Sequence, residues 1–356
     1  MKVAVETNWL YMMQRGCARY VQGLLRGLEQ LHAPDLDWFP LAWPVENFSS
    51  AQPRRAIRTA YRELVWANWQ APRILRRRNA EVVHLTGHIL ADLRSPRRVY
   101  TLHDLDIVHH PERFRPWPRH RLQRHLPMIA KQDAVICVSR FTADEAMRLL
   151  GLPASKLEVV YEGCHFTRDS ATQEEQAPSQ ALPPTYFLFV GAIEPGKNLP
   201  LLRQAYELAA EKGIDLPPLV LVGGRERGLA TEGQPPPGWV YLGHVSDGQL
   251  YYLYRRAIAF VFPTRYEGFG LPVLEAMTLG CPVLCSPVAS LPEVGGDAAL
   301  FVDQTPEAYL DAMRTLASEP KLTRELAERG YRQAAGFSWL KCATETVGVY
   351  RKVLNR

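Results

Sequence analysis

Two carboxylates eight residues apart, Glu267 and Glu275, bracket a glycine-rich turn that runs into a proline-started helix. The stretch reads Pro263-Thr264-Arg265-Tyr266-Glu267-Gly268-Phe269-Gly270-Leu271-Pro272-Val273-Leu274-Glu275. Its glycines free the backbone, and Pro272 sits where a first helical turn tolerates proline. The N–H groups around Phe269, Gly270 and Leu271 then point from a helix start and favour an anion. Carboxylates beside that anion accept hydrogen bonds from hydroxyls. An anion flanked by hydroxyls describes a nucleotide-sugar.

A second constellation supplies a cation. Gly191-Ala192-Ile193-Glu194-Pro195-Gly196-Lys197-Asn198 follows an apolar run and precedes a helical one. Taken literally it is one residue short of a phosphate loop, with Asn198 where a hydroxyl would hold Mg²⁺. A Mg²⁺-dependent nucleotide hydrolase therefore stays open as an alternative, and ATP turnover would reveal it. Arg225 and Arg265 are further cations near glycine turns. A third motif, Tyr100-Thr101-Leu102-His103-Asp104, delivers a His-Asp pair at the end of an apolar strand, where α/β proteins place chemistry. His84, His109 and His110 are expected in packing or surface roles. Arg15-Gly16-Cys17 turns from the first strand into a helix, Ser139-Arg140 opens another, and Gly243-His244-Val245-Ser246 precedes a third with Ser246 or Asp247 as cap. Residues 290–299 read as structural support.

Short apolar runs alternating with amphipathic stretches imply an α/β fold with parallel sheets. Strands are expected at 3–5, 82–85, 98–102, 134–138 and 157–160, with helices at 18–30 and 142–150. The pattern restarts with strands at 186–190, 218–222, 239–242, 257–262 and 282–285, and helices at 199–212, 247–256 and 271–279. Between the halves, 166–184 is polar, proline-bearing and aperiodic. The division expected is thus a first Rossmann-like domain over 1–165, a linker over 166–184, a second such domain over 185–336 and a final helical tail over 337–356. Ligands of open α/β sheets sit beyond the strands' carboxyl ends, which places the site in a cleft between the two domains.

At 356 residues the chain is long enough for two cores. Its net charge of +5 is uneven: residues 1–165 carry 24 Lys and Arg against 16 Asp and Glu. Arginines cluster at 54–62, 73–78, 94–98 and 113–124. A solvated basic face and attraction to an anionic membrane both fit. No aromatic-basic RNA motif or helix-turn-helix accompanies them, so nucleic acid is not expected as a partner. No segment approaches the ~18 apolar residues of a membrane span. The six cysteines lack zinc spacing and read as core thiols. A cytoplasmic protein, peripheral at most on the inner membrane face, is the expectation.

Taken in order, these motifs resemble glycosyltransferase family 4, whose E-x₇-E signature matches Glu267 to Glu275. The resemblance spans nearly the whole chain. It implies the GT-B fold, two Rossmann-like domains facing across a cleft with the C-terminal helix crossing back to the first, and a retaining sugar transfer. Lys197 would then bind the donor pyrophosphate with Gly191 and Asn198 shaping its loop. Glu275 would accept ribose hydroxyls, and Glu267 the donor sugar's. Gly268, Phe269, Gly270 and Leu271 would supply backbone to the diphosphate, and His244 and Val245 would hold the base edge. His103 would contact the transferred sugar, and Asp104, Ser139 and Arg140 would lie on the acceptor side. Two departures stand out. The basic residue usual at Gly196 or Ala192 is missing, leaving Arg225 or Arg265 to replace it. The first glycine loop keeps only Gly16. The family implies no metal and no cofactor beyond the donor. Mannose from GDP-mannose is the first choice of donor, and a lipid-linked saccharide of lipopolysaccharide or capsule the acceptor. A non-catalytic nucleotide-sugar-binding protein is the remaining alternative.

Overall fold

The structure, a computed structural model, describes residues 1–12, 15–43, 53–87, 96–111, 116–168, 175–224 and 238–356. It divides into two compact units, Met1–Gly163 with Ser338–Arg356, and Cys164–Phe337.

The first unit holds six parallel strands, β1 (Lys2–Glu6), β2 (Asp37–Leu41), β3 (Val82–Leu85), β4 (Arg97–Leu102), β5 (Ala134–Cys137) and β6 (Leu157–Val159), in the order β2-β1-β3-β4-β5-β6. Parallel strands covered on both faces become continuously apolar, which is why β3 and β5 are buried at every residue. Successive side chains alternate faces: Val82 joins one core with Val3, Tyr20 and Val99, and Val83 joins another with Phe39, Trp66 and Tyr100. The sequence reading has no strand at β2. Pro40 argues against one, yet β2 is an edge strand, where a missing N–H costs no ladder bond. Its helices are α1 (Trp9–Met12), α2 (Arg15–Leu31), α3 (Pro53–Tyr61), α4 (Ala71–Arg77), α5 (Asp106–His109), α6 (Pro116–Ile129) and α7 (Arg140–Leu150), with a π-helical segment Arg62–Gln70 joining α3 to α4.

The second unit repeats the plan with β7 (Phe187–Val190), β8 (Leu219–Val222), β9 (Val240–Gly243), β10 (Phe260–Phe262), β11 (Val283–Cys285) and β12 (Ala299–Phe301), in the order β12-β11-β10-β7-β8-β9. Helices α8 (Leu199–Glu211), α9 (Asp247–Arg256), α10 (Leu271–Thr278), α11 (Leu291–Gly295), α12 (Pro306–Ser318) and α13 (Pro320–Ala334) flank it. Of the described residues read from sequence as a linker, Phe166 is buried and most of the others are exposed. Phe166 is buried 6.2 Å from the Tyr251 ring, Arg168 stacks 4.0 Å over Tyr331, and Gln176 N–H donates to Gly248 O at 3.3 Å.

The last helix, α14 (Trp339–Leu354), belongs to the first unit and lies on α2. Gly23 and Gly27, one turn apart, make the groove for Trp339: a Cβ on Gly23 would sit 2.0 Å from its ring, and one on Gly27 2.2 Å from its carbonyl oxygen. A buried chain of hydrogen bonds fixes the same contact, from Tyr350 Oη to His84 Nδ1 (2.7 Å), His84 Nε2 to Thr101 Oγ1 (2.7 Å) and Thr101 to Tyr20 Oη (2.9 Å).

Candidate active site

The carboxyl edge of the second sheet is stitched together by backbone. Beyond β10, Arg265 N–H donates to Gly196 O at 2.8 Å, tying the loop after β10 to the loop after β7. The buried Thr264 hydroxyl lies 3.2 Å from Gly196 O, Tyr266 O and Glu267 Oε1, so one proton serves three acceptors. Gly270, at φ +100°, caps α10 in a conformation closed to other residues, and a Cβ there would meet Leu291 Cδ2 at 2.7 Å. Ser290 Oγ lies 2.9 Å from Glu267 O and 2.8 Å from Phe269 O, pinning the turn from behind. The amides that open α10 are thereby held in place, with the helix dipole behind them.

Lys197 ends a 3₁₀ turn, Pro195–Lys197, and Asn198 follows in the left-handed region at φ 56°, buried. The turn swings the lysine back, so that Nζ pairs with Glu267 Oε1 and lies 5.3 Å from the Phe262 ring. Cation and carboxylate are both half-buried and neutralise each other.

Glu275 sits quite differently. It is 2% exposed within α10; Tyr254 Oη lies 3.3 Å from Oε2, and His165 Nδ1 lies 3.5 Å from Oε1. His165 Nε2 is 3.9 Å from Asp247 Oδ2, so this histidine spans two carboxylates. Sequence reasoning missed His165: it falls in an irregular stretch with no periodicity to place it.

The neighbouring strand ends close in. Gly223 backs onto Gly191 so tightly that a Cβ would lie 1.8 Å from Gly191 O. Gly223 N–H donates to Gly243 O at 2.8 Å, and the exposed His244 ring lies against Gly224, 2.7 Å from where a Cβ would be.

In the first unit, His103 follows β4. Its Nε2 is 2.9 Å from Thr86 O and its Nδ1 is 3.6 Å from Glu162 Oε1. Thr86 O accepts from the Nε2–H, and the Glu162 carboxylate faces Nδ1, an arrangement that favours a positive charge on the ring. Burial disfavours that charge, but Glu162 beside it, with Thr86 O and Asp104, pushes the pKa above the ordinary histidine value. The Tyr20 ring packs edge-on at 4.8 Å. Glu162 is buried, and its Oε2 has no hydrogen-bond partner. Nearby, Cys17 is pushed far above the thiol range by burial and by Asp104, Glu162 and Glu6. Glu6 caps the turn after β1, accepting from Asn8 N–H and Thr86 Oγ1 at 2.8 Å each. Asp104 accepts from Asp106 N–H at 3.1 Å. Ser139 Oγ caps α7 through Thr142 N–H at 3.0 Å, and Arg140 is exposed.

Known proteins match this chain in sequence and in fold. A profile described as Glycosyl transferases group 1 covers residues 171–333, and one described as Glycosyltransferase Family 4 covers 15–168. Over 282 residues the chain is 36% identical to O-antigen chain mannosyltransferase B of Escherichia coli, 72% of this chain and 71% of that protein. The chain belongs to glycosyltransferase family 4. It is 29% identical over 286 residues to the serotype-specific mannosyltransferase WbdA of Escherichia coli, 76% of this chain but only 35% of that longer protein. Sucrose-phosphate synthase (tll1590) from Thermosynechococcus elongatus superposes with a TM-score of 0.73 at 18% identity, over 100% of this chain and 99% of that one, which shows the GT-B fold.

This glycosyltransferase brings Lys197, Glu267, Gly268, Phe269, Gly270 and Leu271 to one edge, with Gly191, Asn198, His244 and Val245 on adjoining loops. Glu275 lies behind them, one turn into α10. Arg225 lies outside the described residues. Gly16 and Arg140 are exposed in the first unit, and a Cβ on Gly16 would meet nothing within 4 Å. Among the described residues, no three His, Cys, Asp or Glu side chains group to hold a metal ion, and no helix is long and apolar enough to cross a membrane.

Proposed function

We propose that the protein transfers mannose from GDP-mannose to a hydroxyl of a saccharide acceptor, lipid-linked, in the synthesis of a cell-surface polysaccharide, with retention at the anomeric carbon. The relatives named as O-antigen mannosyltransferases support the sugar and the polymer. The single observation that carries the site is the Lys197–Glu267 pair set against the amides that open α10.

On this reading the bond from the anomeric carbon to the diphosphate breaks, and one to the acceptor oxygen forms on the same face. The acceptor proton passes to the leaving phosphate. Lys197 leaves Glu267 for the diphosphate and, with the α10 amides, stabilises the negative charge that develops there; no metal takes this role. Glu267 turns to the sugar hydroxyls and fixes their orientation. Glu275, oriented by His165 and Tyr254, takes the ribose hydroxyls. His103, whose positive charge Glu162 favours, contacts the transferred sugar through its ring, and Asp104, Ser139 and Arg140 lie on the acceptor side. The test is transfer from a panel of sugar nucleotides, with the product's anomeric configuration read by NMR. Inverted product, or hydrolysis of ATP with Mg²⁺ as the only turnover, sinks the reading.

A further inference from the structure

Glu6 takes no part in the chemistry above, yet it is a fully buried carboxylate at the end of β1. Burying a carboxylate is costly unless its oxygens are occupied. Here both are: Oε1 accepts from Asn8 N–H and Oε2 from the Thr86 hydroxyl, each at 2.8 Å, and the same hydroxyl lies 2.9 Å from Glu6 O. Thr86, also fully buried, leaves the neighbouring strand β3. Its carbonyl oxygen meets two donors, His103 Nε2–H at 2.9 Å and the Trp9 indole Nε1–H at 3.2 Å, which occupies both of its lone pairs. Gly87, the next residue, is pressed so close to the indole that a Cβ would lie 2.1 Å from Nε1. Asn8 is tied down in turn, its Oδ1 accepting from Trp43 N–H at 2.9 Å. Three neighbouring strands, β1, β3 and β4, thus end in one hydrogen-bonded cluster around a single carbonyl.

We infer that Glu6, Thr86 and Trp9 are positioning residues for His103: Glu6 holds Thr86 by its side chain, Trp9 holds it by its carbonyl, and that carbonyl sets the plane of the imidazole. The inference rests on the reading that His103 contacts the transferred sugar. A group that meets a reacting sugar must be placed to within about 0.5 Å. Glu162, facing Nδ1 at 3.6 Å, would by itself leave the ring free to swing about that contact; the Thr86 carbonyl on the opposite nitrogen removes the swing. Capping the turn after β1 needs only the Asn8 contact, whereas the Thr86 contact reaches a residue 80 positions away. A carboxylate also suits this post better than an amide. Asn8 and Thr86 both donate to it, so both of its oxygens must accept, and a glutamine in its place would turn one acceptor into a donor.

Transfer kinetics from GDP-mannose and NMR titration of the His103 ring test it on the full chain. Thr86→Val keeps the shape of the side chain and loses the hydroxyl. It is expected to lower kcat about ten- to a hundredfold, with the affinity for GDP, read by calorimetry, unchanged. Thr86→Ser restores the hydroxyl and should recover most of that rate. Trp9→Phe keeps an aromatic ring and loses the N–H, and about fivefold in kcat is expected to go with it. Glu6→Gln should resemble Thr86→Val, and melting temperatures check that each variant is folded. Burial lowers the His103 pKa, and Glu162, the Thr86 carbonyl and Asp104 raise it above the ordinary value; His84, kept neutral by burial, and the Tyr20 ring also adjoin it. In Thr86→Val that pKa is expected to fall towards 6.5, and the alkaline limb of the pH–rate profile with it. A folded Thr86→Val with the parent's kcat and the parent's His103 titration overturns the inference, as does a loss of rate that Thr86→Ser does not recover. Full transfer by His103→Ala overturns the underlying reading and the inference with it, while an inactive His103→Ala beside a fully active Thr86→Val overturns the inference alone.

Discussion

The two units each set one basic side chain against one carboxylate at the carboxyl edge of a parallel sheet, but the pairs differ in kind. Lys197 and Glu267 have side chains 17% and 13% exposed, and the lysine is a flexible point charge. In the other pair Glu162 is only 4% exposed, one of its oxygens has no partner, and His103 is clamped between it and Thr86 O. On the proposed reading the first pair opens when donor binds and the second stays closed. An ion pair that meets a charged ligand must exchange partners. One that sets the charge of a ring must not.

The largest expected effect breaks the opening pair. Lys197→Ala should lower kcat/KM by about 10²–10³-fold, the scale of a lost transition-state donor, and steady-state transfer assays read it. Next comes Glu275→Gln, which leaves the volume of α10 intact but removes the charge between His165 and Tyr254. Donor affinity should fall about tenfold to a hundredfold by calorimetry, the worth of a hydrogen bond to a charged group. If Glu275 were only structural, melting temperature would move and affinity would not. Gly270→Ala tests the backbone under the opening pair: strain at φ +100° and the Leu291 contact should cost about 1–3 kcal/mol in denaturant unfolding.

The smallest effect sharpens the closed pair. Glu162→Gln removes the charge that raises the His103 pKa, so the alkaline limb of the pH–rate profile should move to lower pH. The stability sign is definite. A raised histidine pKa contributes stability below the unfolded value near 6.5, lost as pH rises through the folded value. The parent should therefore exceed the variant most below about pH 6.5, and the gap should narrow as pH rises above that in thermal melts. His84 runs the other way. Burial lowers its pKa to about 3, so it stays neutral, and stability falls as pH drops from about 6.5 towards 3.

Much of this was written locally in the chain. Apolar runs such as Phe187–Val190 and Ala134–Cys137 announce buried parallel strands, and the proline-started helix after Gly270 announces itself by composition. β2 was hidden because Pro40 disqualifies a central strand but not an edge one. β12 and the helices α11, α12 and α13 were also missed; β12 is only three residues long. Glu267 and Lys197 were legible from their glycine turns, yet their pairing was not, since 70 residues separate them. His165 and Glu162 were invisible for a similar reason. Each lies in irregular chain just beyond β6 and gains meaning only from partners elsewhere, Glu275 for one and His103 for the other.

The most direct measurement is a calorimetric titration of the parent and Lys197→Ala with GDP-, UDP-, dTDP- and ADP-sugars, without added metal. The opening-pair account predicts that one sugar nucleotide, GDP-mannose first, binds the parent and binds Lys197→Ala at least tenfold more weakly. Binding that is indifferent to Lys197, or no binding of any sugar nucleotide, would contradict it.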